Sequence, residues 1–143
     1  MPEAPIARLL LEAHRSLGGE LLEGLSERGY PDVRPGHAAL FMNIDRRTGT
    51  RLTELARRAR MTKQGMMLLV DDLESRGYVR RVPDPEDGRA KLVRLTARGR
   101  NYVAEARRVM AAVEARARRQ LGFRRFQAFR AALEELLAEE PSE

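Results

Sequence analysis

Lys63, Gln64 and Met67 follow Thr62 within about one helical turn, at the start of a stretch whose apolar residues repeat at helical spacing. The three side chains offer a cation, an amide that both donates and accepts, and a soft apolar contact. In a major groove, a lysine can reach guanine, a glutamine can pair with adenine and a methionine can touch a thymine methyl. The plainer alternative is that Lys63 points to water while Met67 and its neighbour Leu68 pack under a hairpin. A second set, Arg89 and Lys91, lies in and just after the charged loop from Pro83 to Ala90. An arginine on a loop beside a major-groove helix is placed to enter the adjacent minor groove, where the potential is most negative. Asp87, two residues earlier, is placed to hold that arginine by an ion pair; the alternative is a solvated turn.

These residues suit recognition, and the rest of the chain offers little for catalysis. There is no cysteine, which excludes a disulfide framework, a thiolate metal site and a nucleophilic Cys. No nucleophile stands with a base, no glycine loop cradles phosphate, and no carboxylate pair requires chemistry. The two histidines, His14 and His37, are too few for a metal sensor without cysteine. The expectation is a protein that is not an enzyme and carries no cofactor or metal.

Charge locates the working segment. The 143 residues carry 27 Lys and Arg against 21 Asp and Glu, a formal charge of +6. Residues 1–50 hold 6 basic and 7 acidic side chains, 51–100 hold 13 and 7, and 101–143 hold 8 and 7, so the excess sits in the middle third. That is the footprint of a phosphate-binding module between scaffolding elements, although a solvated face would read the same way. The length suits one domain, and 43% hydrophobic with 34% charged residues suits a soluble globular chain. Charges interrupt the apolar stretches near the start, and the run from Met66 to Val70 is far too short to span a bilayer. A cytoplasmic protein with no membrane helix and no signal peptide is expected.

The elements that must position these residues follow from periodicity. Ile6, Leu9, Leu10, Leu17, Leu21 and Leu25 mark a first helix ending near Arg28 to Pro31, and a second runs from about Pro35 to Ile44. A turn over Asp45 to Thr50 leads to a very short strand at Arg51 and Leu52. Helices at Thr53 to Ala59 and Thr62 to Arg76 are separated only by Arg60 and Met61, which is the sequence form of a helix-turn-helix. Met66, Leu69, Val70 and Leu73 face the core. Tyr78 to Val82 and Lys91 to Leu95 form a hairpin, and Thr96 caps a long helix interrupted at Gly122. Phe126, Phe129, Leu133, Leu136 and Leu137 point inward from a last helix. Lys63 sits at the positive end of its helix dipole while Asp71, Asp72 and Glu74 crowd the negative end, each at a cost of roughly 0.3 to 1 kcal/mol. Gly65 adds about 1 kcal/mol relative to Ala. Packing suggests no reason for these choices, whereas an anionic, methyl-bearing surface at the helix start does.

The run LTELARRARMTKQGMMLLVDDLESRGYVRRVPDPEDGRAKLVRLTARG resembles the winged helix-turn-helix core of the MarR family of bacterial transcriptional regulators. The most specific part is the wing tip Asp87 to Arg89, followed by Leu95, Thr96 and Gly99 in an L-T-x-x-G pattern. The order of helices around the run extends the likeness over nearly the whole chain. The implied fold is mainly α with a small β-hairpin wing. Residues 34–96 form the winged module and 1–30 with 97–143 form dimerisation helices. The resemblance implies a homodimer on a pseudo-palindromic double-stranded DNA operator. Thr62, Lys63 and Gln64 then open the recognition helix, Arg89 is the wing arginine, Asp87 is its partner and Arg81 closes the first wing strand. Leu68 departs from the family pattern, in which a polar or basic residue is frequent. Amphipathic helices at both ends, with more apolar face than a small winged module covers, point to self-association independently. Small phenolic or lipophilic effectors are common in the family, and His14, His37, Phe41 and Met42 are the candidate contacts here. The missing cysteines exclude thiol oxidation as the signal. The alternative function is a winged protein-interaction module that does not read DNA, for which the off-core Met67 and Leu68 speak.

Overall fold

The computed structural model describes residues 2–138. Helix α1 spans Ile6–Glu27. A 3-10 turn at Pro35–His37 leads into α2, Ala38–Phe41, so the expected second helix is present only as two short pieces. Strand β1 is Thr50–Arg51, and Leu52, expected in the strand, instead opens α3, Leu52–Arg58. Helix α4 covers Lys63–Ser75, β2 Val79–Pro83 and β3 Lys91–Leu95. Helices α5, Ala97–Leu121, and α6, Phe123–Ala138, are separated by Gly122. Residues 139–143 of the expected C-terminal dimerisation segment lie outside the described residues.

The three strands form one antiparallel sheet in the order β1-β3-β2, with Val79 opposite Leu95 and Thr50 opposite Val93. Side chains alternate between sheet faces, and the inward face supplies Val79, Val93 and Leu95 to the core. Against it sit Leu55 from α3 and Met66, Val70 and Leu73 from α4, all fully buried. Helical spacing at 66, 70 and 73 brings these three to one stripe, as periodicity implies. Leu25 of α1 and Val109 and Val113 of α5 extend the core to the helices at the two ends of the chain.

The winged module and the long helices meet at Tyr78. Its N–H donates to the Leu73 carbonyl at the end of α4, and its carbonyl accepts from the Thr96 N–H that starts α5. The Thr96 hydroxyl caps α5 by accepting from the Gly99 N–H at 3.1 Å, as expected of a capping threonine. Gly99 lies so close to the Tyr78 carbonyl that a Cβ at that position would collide with the carbonyl oxygen. The L-T-x-x-G pattern therefore marks the point where α5 crosses the hairpin base.

One expectation differs in the single chain. No residue of α6 is buried among those described, and Phe129, Leu136 and Leu137 are exposed rather than inward. Among the described residues, α6 packs mainly against α5, with Leu17 from the middle of α1 beside it. Phe126, Phe129, Leu133 and Leu137 line an open groove of about 240 Å³ with Leu17 and Ala117. Ile6, Leu9 and Leu11 are likewise exposed on α1.

Gly99→Ala should lower the free energy of unfolding by about 3 kcal/mol, the range of a buried overpacking substitution. Gly36→Ala, where nothing lies within 4 Å of the added atom, should change it little. Urea denaturation of the two variants checks this.

Candidate nucleic-acid interface

At the start of α4 the Thr62 side chain accepts the Gly65 N–H at 3.0 Å and caps the helix. A Cβ on Gly65 would come within 3.0 Å of that hydroxyl oxygen. The cap thus supplies a local reason for this glycine, which sits in the first turn rather than the interior. Lys63 and Gln64 are exposed, and no partner among the described residues holds either side chain. Their neighbours Met67 and Leu68 are 40% and 62% exposed, while Met66 and Val70 on the opposite side are fully buried. The hairpin does not cover this pair. One surface of the first two turns therefore carries a cation, an amide and two apolar side chains, all open to solvent.

The acids at the other end of α4 have partners. Glu74 accepts from both the Arg81 N–H at 2.9 Å and its guanidinium at 2.8 Å, and Asp71 takes the other terminal nitrogen of that guanidinium. Asp72 accepts from Arg76 Nε at 2.9 Å and from His37 Nε2 at 2.6 Å. Arg76 first, and His37 second, hold the Asp72 carboxyl below the usual carboxylate range. Packing thus accounts for the acidic cluster, contrary to the expectation from the sequence. The acids face the β2 strand, the turn before α2 and their own helix end. Arg81, implied as a DNA contact, spends its guanidinium tying β2 to α4 and is only a quarter exposed.

The wing tip is shaped by two aspartates. Asp84 is buried, and its carboxylate accepts from the Glu86 N–H at 2.9 Å and from Arg51 Nε at 2.6 Å. Those interactions, the Glu86 N–H foremost, hold its carboxyl below the ordinary value. Asp87 accepts the Arg89 backbone N–H at 3.1 Å, and its carbonyl accepts from Ala90. The expected ion pair between Asp87 and the Arg89 guanidinium is absent; Asp87 sets the course of the backbone instead. Arg89 and Lys91 are exposed, and neither side chain meets an acid among the described residues.

The four candidate effector contacts are not gathered into one site. His14 is exposed on α1, and Met42 is 82% exposed after α2. His37 is buried with both ring nitrogens engaged: Nδ1 accepts the Arg34 N–H at 2.9 Å, so Nε2 carries the proton shared with Asp72. Phe41 packs on Tyr102 and Tyr78, with ring centroids 4.5 and 5.9 Å away. Asp32, Tyr78 and Arg98 escaped the sequence reading. Tyr78 Oη donates to Asp32 at 2.6 Å, and Arg98 donates to Tyr78 Oη at 3.0 Å and to Asp32 at 3.2 Å. Burial pushes the Asp32 carboxyl up, but the hydrogen bonds it accepts and the Arg98 charge outweigh that and hold it low. Arg76 closes the knot by donating to the Asp32 carbonyl at 2.9 Å. The three residues come from three separate segments, so periodicity within one element gives no signal of them.

The MarR family model matches residues 32–90, the span from this knot to the wing tip. An HTH-type transcriptional repressor of Mycobacterium tuberculosis, Rv2887, is 33% identical over 134 residues, which is 94% of each chain. The chain belongs to the MarR family. As a MarR-family protein it is a DNA-binding transcriptional regulator and not an enzyme. The structure of Rv2887 from M. tuberculosis in complex with salicylic acid is 30% identical, covers 94% of this chain and 97% of that one, and superposes with a TM-score of 0.67. A second similar structure is the transcriptional repressor CouR bound to a 23-mer DNA duplex. It is 25% identical, covers 94% of this chain and 90% of that one, and has a TM-score of 0.72. No helix among the described residues is long and apolar enough to cross a membrane.

Two outcomes follow from this geometry. Arg81→Ala should cost about 1 kcal/mol of stability, since it removes the guanidinium contacts of two carboxylates, whereas Arg89→Ala should leave the unfolding midpoint unchanged. For Asp84 the folded carboxyl lies below its unfolded value of about 3.9. Its contribution is therefore present above that pH and lost as pH falls through the folded value. The stability gap between wild type and Asp84→Asn should be widest near neutrality and close on acidification below about pH 4. A gap constant with pH would contradict the assignment.

Proposed function

We propose that this chain is a homodimeric repressor that binds a pseudo-palindromic operator, with α4 in the major groove and the wing tip in the minor groove. The observation that carries the reading is the sorting of cations. Arg51, Arg57, Arg58, Arg76 and Arg81 are paired with acids. Lys63 at the start of α4 and Arg89 and Lys91 at the wing have no acid partner among the described residues. A cation at a helix N-terminus is disfavoured by the dipole unless an anion approaches, and duplex DNA brings one. Thr62, Lys63, Gln64 and Met67 then address the major groove. Arg89 enters the minor groove, with Asp87 setting the turn that presents it.

The exposed apolar faces of α1 and α6 support self-association through those helices, since patches of this kind are rare on a monomer. A two-fold dimer sets its recognition helices about 34 to 36 Å apart, one turn of B-DNA. The effector is a small aromatic acid, the class to which salicylic acid in the Rv2887 complex belongs. Arg98, nearly half exposed and 4.6 Å above the Tyr78 ring, supplies a cation beside an aromatic cluster where the winged module meets α5. The exposed Met67 and Leu68 favour the second reading, a protein-interaction module.

Gel-shift titration against DNA from upstream of its own gene tests the proposal. Arg89→Ala should weaken specific binding at least about tenfold. With three unpaired cations per protomer, the slope of log affinity against log salt should be on the order of −5. Specific binding that is absent at low salt, or unchanged in both Arg89→Ala and Lys63→Ala, would refute it. If Met67→Asp abolished capture of a protein partner while operator binding was never seen, the second reading would stand. Salicylate added to the complex should release the DNA, and less readily in Arg98→Gln.

A further inference from the structure

The outer face of the wing sheet has a feature that operator reading does not use. Val79, Val93 and Leu95 point to the core, so Arg80, Val82, Leu92 and Arg94 point away from it. Arg80 and Arg94 are direct cross-strand partners. Like charges placed directly opposite are destabilising, and neither guanidinium meets a carboxylate among the described residues. Both sit at the base of the hairpin, at the opposite end from Lys91 and the tip.

Beside this pair lies a groove of about 720 Å³. Its floor is apolar, formed by Leu92 and Val82, with Pro83 and Pro85 continuing it. The ends differ in charge. At one end stand Arg94 and Arg47; the Arg94 guanidinium donates to the Arg47 carbonyl at 2.9 Å, and the Arg47 guanidinium has no partner among the described residues. At the other end stand Glu86 and the pair Arg51–Asp84, which spans the sheet and neutralises itself. The Arg94 stem is held in place. Gly49 has φ of +77°, and a Cβ there would collide with Arg94 Cγ and lie 2.6 Å from the Val93 carbonyl oxygen. The loop before β1 therefore closes on the arginine and limits where it can point.

We infer that this groove is a binding site for a small amphipathic anion, a phosphate monoester or carboxylate with an apolar body. The anionic group is held by Arg94 and Arg47 and the body lies on Leu92 and Val82. Glu86 repels a negative charge at the opposite end and so fixes the direction of the ligand. Arg80 adds to the positive potential from the neighbouring strand. The site is separate from the aromatic cluster at Arg98. A phosphate group reaches such a site either as a free small molecule or as part of a duplex backbone.

Titration of the full-length isotope-labelled protein with phenyl phosphate, followed by backbone amide shifts, tests the inference. Saturable shifts are expected at Thr48, Gly49, Leu92 and Arg94. The dissociation constant should rise about tenfold in Arg94→Gln and in Arg47→Gln, the loss of one charge-assisted contact. Arg94→Lys should retain most of the binding, and Arg124→Gln on the exposed face of α6 should not alter it. Arg47 lies on an exposed turn, so its variant keeps the test decisive if Arg94→Gln disturbs the strand. Shifts that are linear up to high millimolar concentration, that centre elsewhere, or that saturate as in the wild type in both variants would overturn the inference. A short duplex added at low salt separates the two sources. If backbone phosphate is the occupant, the duplex displaces phenyl phosphate and Arg94→Gln lowers the salt slope of dimer binding by about two, one contact per protomer. If a free anion is the occupant, both bind together and the slope is unchanged.

Discussion

The phenol of Tyr78 is fully buried and donates to Asp32, while its backbone joins the end of α4 to the start of α5. Burial, and then the hydrogen bond to Asp32, push its ionisation up to about 12, so it stays a donor across the physiological range. Around it, Arg98 from α5, Arg76 from the end of α4 and Asp32 from the segment before α2 complete their hydrogen bonds on one another. An unsatisfied member of such a network would carry the full cost of its desolvation. The arrangement therefore persists as a unit or fails as one. It ties the end of α4 to the start of α5, and the proposed reading of an operator by a dimer depends on how those helices are set.

Electrostatics divides the middle third of the chain into two populations. Arginines paired with acids brace the fold: Arg81 holds the wing strand to α4, Arg51 holds the wing tip to β1, and Arg76 holds α4 to Asp32. The cations left over stand at the start of α4, at the wing tip and on the outer face of the sheet. The net excess of positive charge in residues 51–100 thus understates the organisation, because most of the acids in that segment are already committed.

Periodicity and turn chemistry made much of this legible. The stripe Met66, Val70 and Leu73 is buried as its spacing demands, Thr96 caps the helix it precedes, and both wing strands lie within a residue of their expected bounds. The second helix fared worse: a Pro at its start and few apolar positions gave no hint that a 3-10 turn would take half of it. Side-chain pairing was the larger blind spot. Asp71, Asp72 and Glu74 looked costly on an isolated helix, because the strand and turn that supply Arg81 and His37 are distant in sequence or fold back only in three dimensions. Asp87 meets Arg89 through the backbone N–H and not through the guanidinium that the sequence pointed to. On the α6 face expected to point inward, no side chain is buried among the described residues.

In the proposed dimer, the knot at Tyr78 holds the two recognition helices at one fixed separation. The most direct test is operator affinity measured with about 5 bp inserted between the half-sites, which turns the second half-site to the opposite face of the duplex. Affinity is expected to fall to that of a single half-site, and inserting about 10 bp, which restores the face but not the distance, is expected not to recover it. Affinity unchanged by the shorter insertion would contradict a fixed two-fold reader.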